Sequence, residues 1–280
     1  MNINGSTKVY GIIGNPVHHS LSPIMHNAAF AELGENRVYL PFPVEDIAAA
    51  IQGIRALHID GVSVTIPHKM AVLPHLDTID PVAAKIGAVN TIRSRYHQGE
   101  AELCGHNTDW QGAVRPLRSH MNLAGKKVIL LGAGGAARAI GFGLLEQGAL
   151  VVVCSRTESN GRALAADLGC SWCALREVDA LQGDILVNAT SVGMAPLPDA
   201  SPVPPVILQN YKIVMDIVYA PLTTRLLFDA QQAGCRTING LEMLLYQGVA
   251  QFELWTGLQA PVEVMRRSLL KAVSPGSSEG

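Results

Sequence analysis

A glycine-rich turn between two segments of different hydrophobic character narrows the folds open to this chain more than any other feature. KKVILLGAGGAARAIGFGLLEQG reads as a buried strand (Val128, Ile129, Leu130, Leu131), a turn (Gly132-Ala133-Gly134-Gly135-Ala136-Ala137) and a helix. In that strand-to-helix setting the pattern G-x-G-x-x-A acquires a mechanism. Gly132 permits the tight turn, Gly134 lets the backbone approach a pyrophosphate, and the small Ala137 keeps helix and strand close. The anion would sit at the helix N-terminus, where unpaired N–H groups and the helix dipole favour negative charge. Gly132, Ala133, Gly134, Gly135 and Ala136 are therefore candidate dinucleotide contacts.

The following strand selects the dinucleotide. An NAD site usually ends this strand on Asp or Glu, to bind the ribose 2′-hydroxyl. ALVVVCSR instead runs into Ser155, Arg156 and Thr157, with Arg162 beyond. A missing acid and a present cation favour a 2′-phosphate, hence NADP (as NADPH in the reducing direction). The plainer reading of Arg156 is a solvated surface charge. SNGRALAADLG then reads as a helix, DILVNATSVGM as a strand and loop, YKIVMDIVY as a strand, and the proline-dense stretch 195–205 as irregular. Two helices follow Gly240, and the tail PGSSEG is expected to fray.

From Val9 to about Cys104, strand-like runs (VYGIIG, VYLPFPV, GVSVTI, GAVNTI) alternate with helical ones (PIMHNAAFAEL, EDIAAAIQGIRAL), the rhythm of a second α/β unit. The first helix is punctuated by Ser22 as its cap, Pro23 at its first position and Gly34 past its end. Three segments here carry polar groups where a plain sheet would carry apolar ones. Ser20 and Ser22 can hold a carboxylate by neutral hydrogen bonds near a helix start. In SVTIPHK, Lys69 at a strand end can give a proton to a ketone oxygen under reduction, or take one from an alcohol, once its environment brings its pKa toward working pH. In Asn107-Thr108-Asp109, Asp109 can orient Lys69 and accept from a substrate hydroxyl, while Asn90 offers a donor and an acceptor to a polyhydroxylated ring. Each also has a structural reading: a cap for Ser22 and Asp109, a turn for Asn90, an exposed charge for Lys69.

Composition removes other classes. With 280 residues and 48% hydrophobic content the chain can bury two cores. A net charge of -2 gives no basic field for nucleic acid. The most apolar stretch, around 128–145, is broken by Arg138 and falls short of the roughly 18 apolar residues of a membrane span. The N-terminus has no basic region ahead of an apolar core, so no signal peptide is expected and the chain is read as cytoplasmic. Five cysteines imply no disulfide framework, and Cys170 with Cys173 lack the further ligands of a zinc site, so no metal is expected.

From Val9 to Gly257 the blocks GNPVHHSLSPIMHN, SVTIPHK, GAVNT, NTDWQG, LLGAGGAARA, NATSVGM, DIVYAPLTTRLL and NGLEMLLYQGVAQFELWTG stand in one order. In these blocks the chain resembles the shikimate dehydrogenase (shikimate/quinate dehydrogenase) family. The resemblance implies an α/β fold of two domains. A substrate domain over 1–108 is completed by helices in 241–280, and a Rossmann-like NADP domain spans 109–240, with a cleft between them that closes on the reactants. It implies Ser20 and Ser22 on the substrate carboxylate, and Thr65, Asn90, Asp109 and Gln247 on ring hydroxyls. It puts Tyr219 near the substrate, and Lys69 with Asp109 as the catalytic pair. Thr190 and Ser191, in the loop after Asn188, would contact the cofactor, and Gly240 with Met243 would border the nicotinamide. The reaction implied is reversible reduction of 3-dehydroshikimate to shikimate by NADPH, in aromatic amino-acid biosynthesis. The partner would be a small-molecule substrate, not nucleic acid or membrane, and the protein a monomer or homodimer. Ser155 departs from the Asn usual in the family. A quinate or dual-substrate dehydrogenase using NAD, and a non-catalytic dinucleotide sensor, stay open alternatives.

Overall fold

Two six-stranded sheets organise the chain in the computed structural model, which describes residues 3–274. The tail 275–280 expected to fray lies outside the described residues. Two compact units divide the chain, one holding residues up to Thr108 with those from Gln247 on, the other Asp109–Tyr246. The second division falls inside a helix, six residues after the 240/241 boundary set from the sequence.

The first unit runs β1 (Lys8–Gly14), α1 (Ser22–Glu32), β2 (Arg37–Pro43), α2 (Ile47–Ala56), β3 (Gly61–Val64), β4 (Thr78–Ile79), α3 (Pro81–Ile86), β5 (Thr91–His97) and β6 (Glu100–His106). Its sheet order is β2-β1-β3-β5-β6-β4, with β1 parallel to β2 and β3, and β5 antiparallel to β3 and β6. Leu21, with φ -87° and ψ -4°, already lies in the helical region and is the N-cap of α1. Ser22 is therefore the first helical residue and not the cap the sequence suggested, and it is 3% exposed.

The second unit runs α4 (Asp109–Arg118), β7 (Lys127–Leu131), α5 (Gly135–Glu146), β8 (Leu150–Ser155), α6 (Glu158–Leu168), β9 (Ser171–Ala174), β10 (Ile185–Asn188), β11 (Ile213–Asp216), α7 (Arg225–Gln232) and β12 (Arg236–Ile238). All neighbouring strands in the order β12-β11-β10-β7-β8-β9 are parallel, the doubly wound arrangement of dinucleotide-binding folds. Val128 and Leu130 join one apolar core while Ile129 and Leu131 join the other. Both faces of β7 are thus covered, which explains its unbroken apolar run. Each such side chain contributes about 2 kcal/mol by leaving water, so the strand end, and with it the glycine turn, is firmly placed.

α8 (Gly240–Thr256) starts in the second unit and ends in the first, where α9 (Val262–Val273) lies against α1. Phe252 meets Phe30 at 5.5 Å between ring centroids, and Trp255 meets Tyr10 at 5.4 Å while its Nε1 donates to the Ile92 carbonyl (2.9 Å). Residues near the end of the chain thereby complete the core begun by its start.

Candidate functional site

In the second unit, strand order reverses between β7 and β10, and ligands of such sheets bind beyond the strand ends at that point. Gly132 follows β7 with φ +112°, and a Cβ there would stand 2.9 Å from the Ala189 carbonyl oxygen after β10, so only glycine fits. Gly134 differs: its backbone is extended, and a Cβ would meet nothing within 4 Å. Open space therefore lies over the turn, and no side chain caps the first N–H groups of α5. That cradle fits a pyrophosphate, with the partly exposed Ala133, Gly135 and Ala136 around it and Ala137 buried beneath.

At the end of β8, Ser155 does not present its hydroxyl to a ligand as the sequence suggested. It is 5% exposed, donates to the Thr157 carbonyl (2.9 Å) and accepts from Trp172 Nε1 (3.0 Å). Arg162 is likewise engaged, bonded to Glu158 (2.7 Å) and stacked over the Trp172 ring at 4.3 Å. Arg156 and Thr157 are exposed as well but are not tied up in this pair, and Thr157 makes no side-chain cap although it is the N-cap of α6. The loop after β10 is internally tied. Thr190 donates its hydroxyl and its N–H to Asn188 Oδ1 (2.7 and 3.1 Å), while Ser191 is exposed. Asn188 in turn donates to Asp216 (2.9 Å), which also receives Thr224 Oγ1 (2.7 Å) and the Val218 N–H (3.0 Å). Burial pushes the Asp216 carboxyl up to about 6 in spite of these donors. Sequence reasoning missed this acid; its signal was a carboxylate closing the apolar run Ile213-Val214-Met215. Gly240 abuts the Ile217 carbonyl, Met243 is 7% exposed within the unit's core, and burial raises the pKa of the half-buried Tyr219.

In the first unit, backbone bonds gather the polar segments. Val64 N–H donates to the Asn90 carbonyl (2.8 Å), Val89 N–H to the Lys69 carbonyl (2.8 Å), and Thr65 N–H to the Ile13 carbonyl (2.9 Å). Thr65, Lys69 and Asn90 thus converge where β3 ends and β5 begins, at the middle of the sheet, Lys69 half-buried and Asn90 2% exposed. Asn90 Oδ1 accepts the Thr108 N–H (2.8 Å), and Asn90 Nδ2 donates to Thr108 Oγ1 (3.0 Å) and to Gln247 Oε1 (3.4 Å). Ser20 Oγ, further along the strand-to-helix loop, accepts the Ser22 N–H (3.3 Å). Asp109 is the first residue of α4, in the other unit, and is 4% exposed. Sequence reasoning also missed Tyr39, Ser63, Thr91 and Gln251, which form a buried polar chain behind Asn90; Gln251 stands one helical turn from Gln247.

Three family models match the chain: the shikimate dehydrogenase substrate binding domain over residues 12–92, the shikimate 5′-dehydrogenase C-terminal domain over 240–270, and an NADP oxidoreductase, coenzyme F420-dependent, over 127–218. The shikimate dehydrogenase (NADP(+)) of Moorella thermoacetica is 46% identical, covering 99% of this chain and 97% of its own length. That of Pyrococcus furiosus is 48% identical, covering 96% of this chain and 97% of its own. The crystal structure of shikimate 5-dehydrogenase from Thermus thermophilus, in complex with NADP(H) and shikimate, superposes with a TM-score of 0.87. It shares 37% identity and covers 95% of this chain and 100% of that one.

Proposed function

This chain belongs to the shikimate dehydrogenase family, and on that footing we propose that it catalyses the reversible, NADP-dependent reduction of 3-dehydroshikimate to shikimate. The carrying observation is the convergence of Thr65, Lys69 and Asn90 where β3 ends and β5 begins, with Gln247 bonded to Asn90. NADP, when bound, supplies or accepts the hydride. Gly132, Ala133, Gly134, Gly135 and Ala136 hold its pyrophosphate, and Arg156 with Thr157 meets the 2′-phosphate. Thr190, Ser191, Gly240 and Met243 belong to the loop and helix start assigned to the rest of the cofactor. Ser155 acts there through its inward bonds, by fixing the backbone that carries Arg156.

Ser20 and Ser22 bind the substrate carboxylate. Thr65, Asn90, Asp109, Tyr219 and Gln247 hold the ring in one orientation, and orientation is a large part of what a hydride transfer needs from the protein. Lys69 gives a proton to the ketone oxygen in one direction and takes it from the alcohol in the other; Asp109 is its acid–base partner. A small-molecule substrate needs no basic surface field, in keeping with the net charge of -2. No helix among the described residues is long and apolar enough to cross a membrane, and the cytoplasm is the compartment proposed.

Lys69→Ala tests the assignment. Turnover is expected to fall by about two powers of ten or more, the scale of a positioned acid or base, while NADPH binding measured by titration stays unchanged. Wild-type turnover in that variant would remove Lys69 from the reaction.

A further inference from the structure

We propose that Thr91 and Gln251 are positioning residues that fix which edge of the Asn90 amide faces the substrate, an inference that rests on the substrate role given to Asn90 above. A side-chain amide carries a donor and an acceptor of nearly equal shape, so its orientation is set by its partners. Here two groups with no choice of role set it from opposite ends. The Asn90 carbonyl can only accept, and it takes Gln251 Nε2 at 3.2 Å. That fixes the Gln251 amide, whose same nitrogen donates to Thr91 Oγ1 (2.9 Å). The Thr91 proton must then point elsewhere, and it goes to Asn90 Oδ1 at 2.7 Å. The Thr108 N–H can only donate, and it reaches the same oxygen at 2.8 Å.

The far side of the relay agrees. Tyr39 OH donates to Ser63 Oγ (2.6 Å), and Ser63 Oγ donates to Gln251 Oε1 (2.9 Å), the acceptor that the anchored amide leaves on that side. Tyr39 is fully buried, and burial keeps its phenol protonated and able to donate, with its pKa well above the usual tyrosine range. Asn90 is thereby held with Oδ1 turned into the protein and Nδ2 donating to Thr108 Oγ1 (3.0 Å) and, over a longer distance, to Gln247 Oε1 (3.4 Å). The consequence is a rule of polarity: the edge of Asn90 that meets Gln247 is an N–H edge, so a substrate atom that takes the place of Gln247 Oε1 there is an oxygen that accepts.

Steady-state kinetics with shikimate and NADP separates the possibilities. Thr91→Val keeps the shape and removes the relay hydroxyl; the KM for shikimate is expected to rise about tenfold, the KM for NADP to stay within twofold, and Thr91→Ser to restore the first. Asn90→Ala is the control for the underlying reading, and in its background Thr91→Val is expected to add nothing, because the two act through one group. Wild-type shikimate kinetics in Thr91→Val beside an impaired Asn90→Ala overturns the relay, as do additive losses in the double variant or equal rises in both KM values. Wild-type kinetics in Asn90→Ala overturns the substrate role of Asn90 itself. Should Thr91→Val not fold, Gln251→Met interrupts the same relay and is expected to show the same selective rise; its absence contradicts the proposal.

Discussion

At the corner after β8, three neighbouring polar side chains have different fates, and the proposed reading of the 2′-phosphate turns on the difference. Ser155 is spent on Thr157 and Trp172, and Arg162, though exposed, on Glu158 and the Trp172 ring, which leaves Arg156 as the exposed cation of this corner with no ion pair among the described residues. A charge-assisted bond of this kind is worth about 1.5–3 kcal/mol, roughly ten- to a hundredfold in affinity. Arg156→Ala is accordingly predicted to raise the KM for NADP by that factor and to leave the KM for NAD within twofold; equal effects on both would show that Arg156 does not read the phosphate. The sequence marks Arg156 and Thr157 as candidates because the strand end and the missing acid are local facts. The inward turn of Ser155 was not legible, since its partner Trp172 is seventeen residues on and reaches it only through the pairing of β8 with β9. The Tyr39–Ser63–Gln251–Thr91–Asn90 relay was hidden for the same reason: its members sit on β2, β3, α8 and the start of β5 with the residue just before it, and no spacing in the chain announces them.

The glycine turn between β7 and α5 makes its own prediction, because its two key glycines do different work. Gly132→Ala forces a side chain into positive φ and against the Ala189 carbonyl, and is predicted to lower stability by about 1–3 kcal/mol in a denaturant titration. Gly134→Ala has room and an ordinary backbone, so its melting temperature is predicted to match wild type while NADPH binds at least tenfold more weakly, the methyl standing where the pyrophosphate lies. Unchanged NADPH affinity in Gly134→Ala would place the anion elsewhere. At this scale β1, β2, β3, β7, β8, β10 and β11 were readable from their apolar runs, and β5 only at its start. The seven-residue β6 was not, because EAELCGH carries few apolar side chains, nor were the short β4, β9 and β12. The start of α1 was misplaced by one residue: Ser before Pro signals a cap, but the backbone of Leu21 had already turned helical.

Over the molecule as a whole, two buried titratable groups pull stability in opposite directions with pH. His26 is fully buried and stacked on Tyr39 at 4.5 Å. Burial drives its pKa from 6.5 to about 3. The unfolded chain therefore takes up a proton below pH 6.5 that the folded chain refuses, and stability falls as pH drops from 6.5 toward 3, by on the order of 4 kcal/mol in all. Asp216 has the reverse sign. Its raised pKa gives stability that is present below its unfolded value and lost as pH climbs through about 6. Because the two windows overlap, the effect of His26 is clearest as a difference. His26→Phe, which preserves the ring packing, is predicted to gain stability over wild type progressively between pH 6.5 and 4 in chemical denaturation, and a constant difference across that range would contradict a buried neutral histidine.

The second unit's fold and cofactor were open to sequence reasoning because strand, turn and helix are contiguous there. Completion of the first unit by α8 and α9 became legible only through the resemblance, since the contacts of Phe252 and Trp255 span more than 160 residues in sequence. The central claim joins a substrate to a cofactor, and one comparison addresses both: kcat/KM for shikimate and for quinate, each with NADP and with NAD. The account predicts the highest value for shikimate with NADP, at least tenfold above either single exchange. A preference for quinate, or for NAD, or no turnover with any of the four pairs beside tight nucleotide binding, would contradict it.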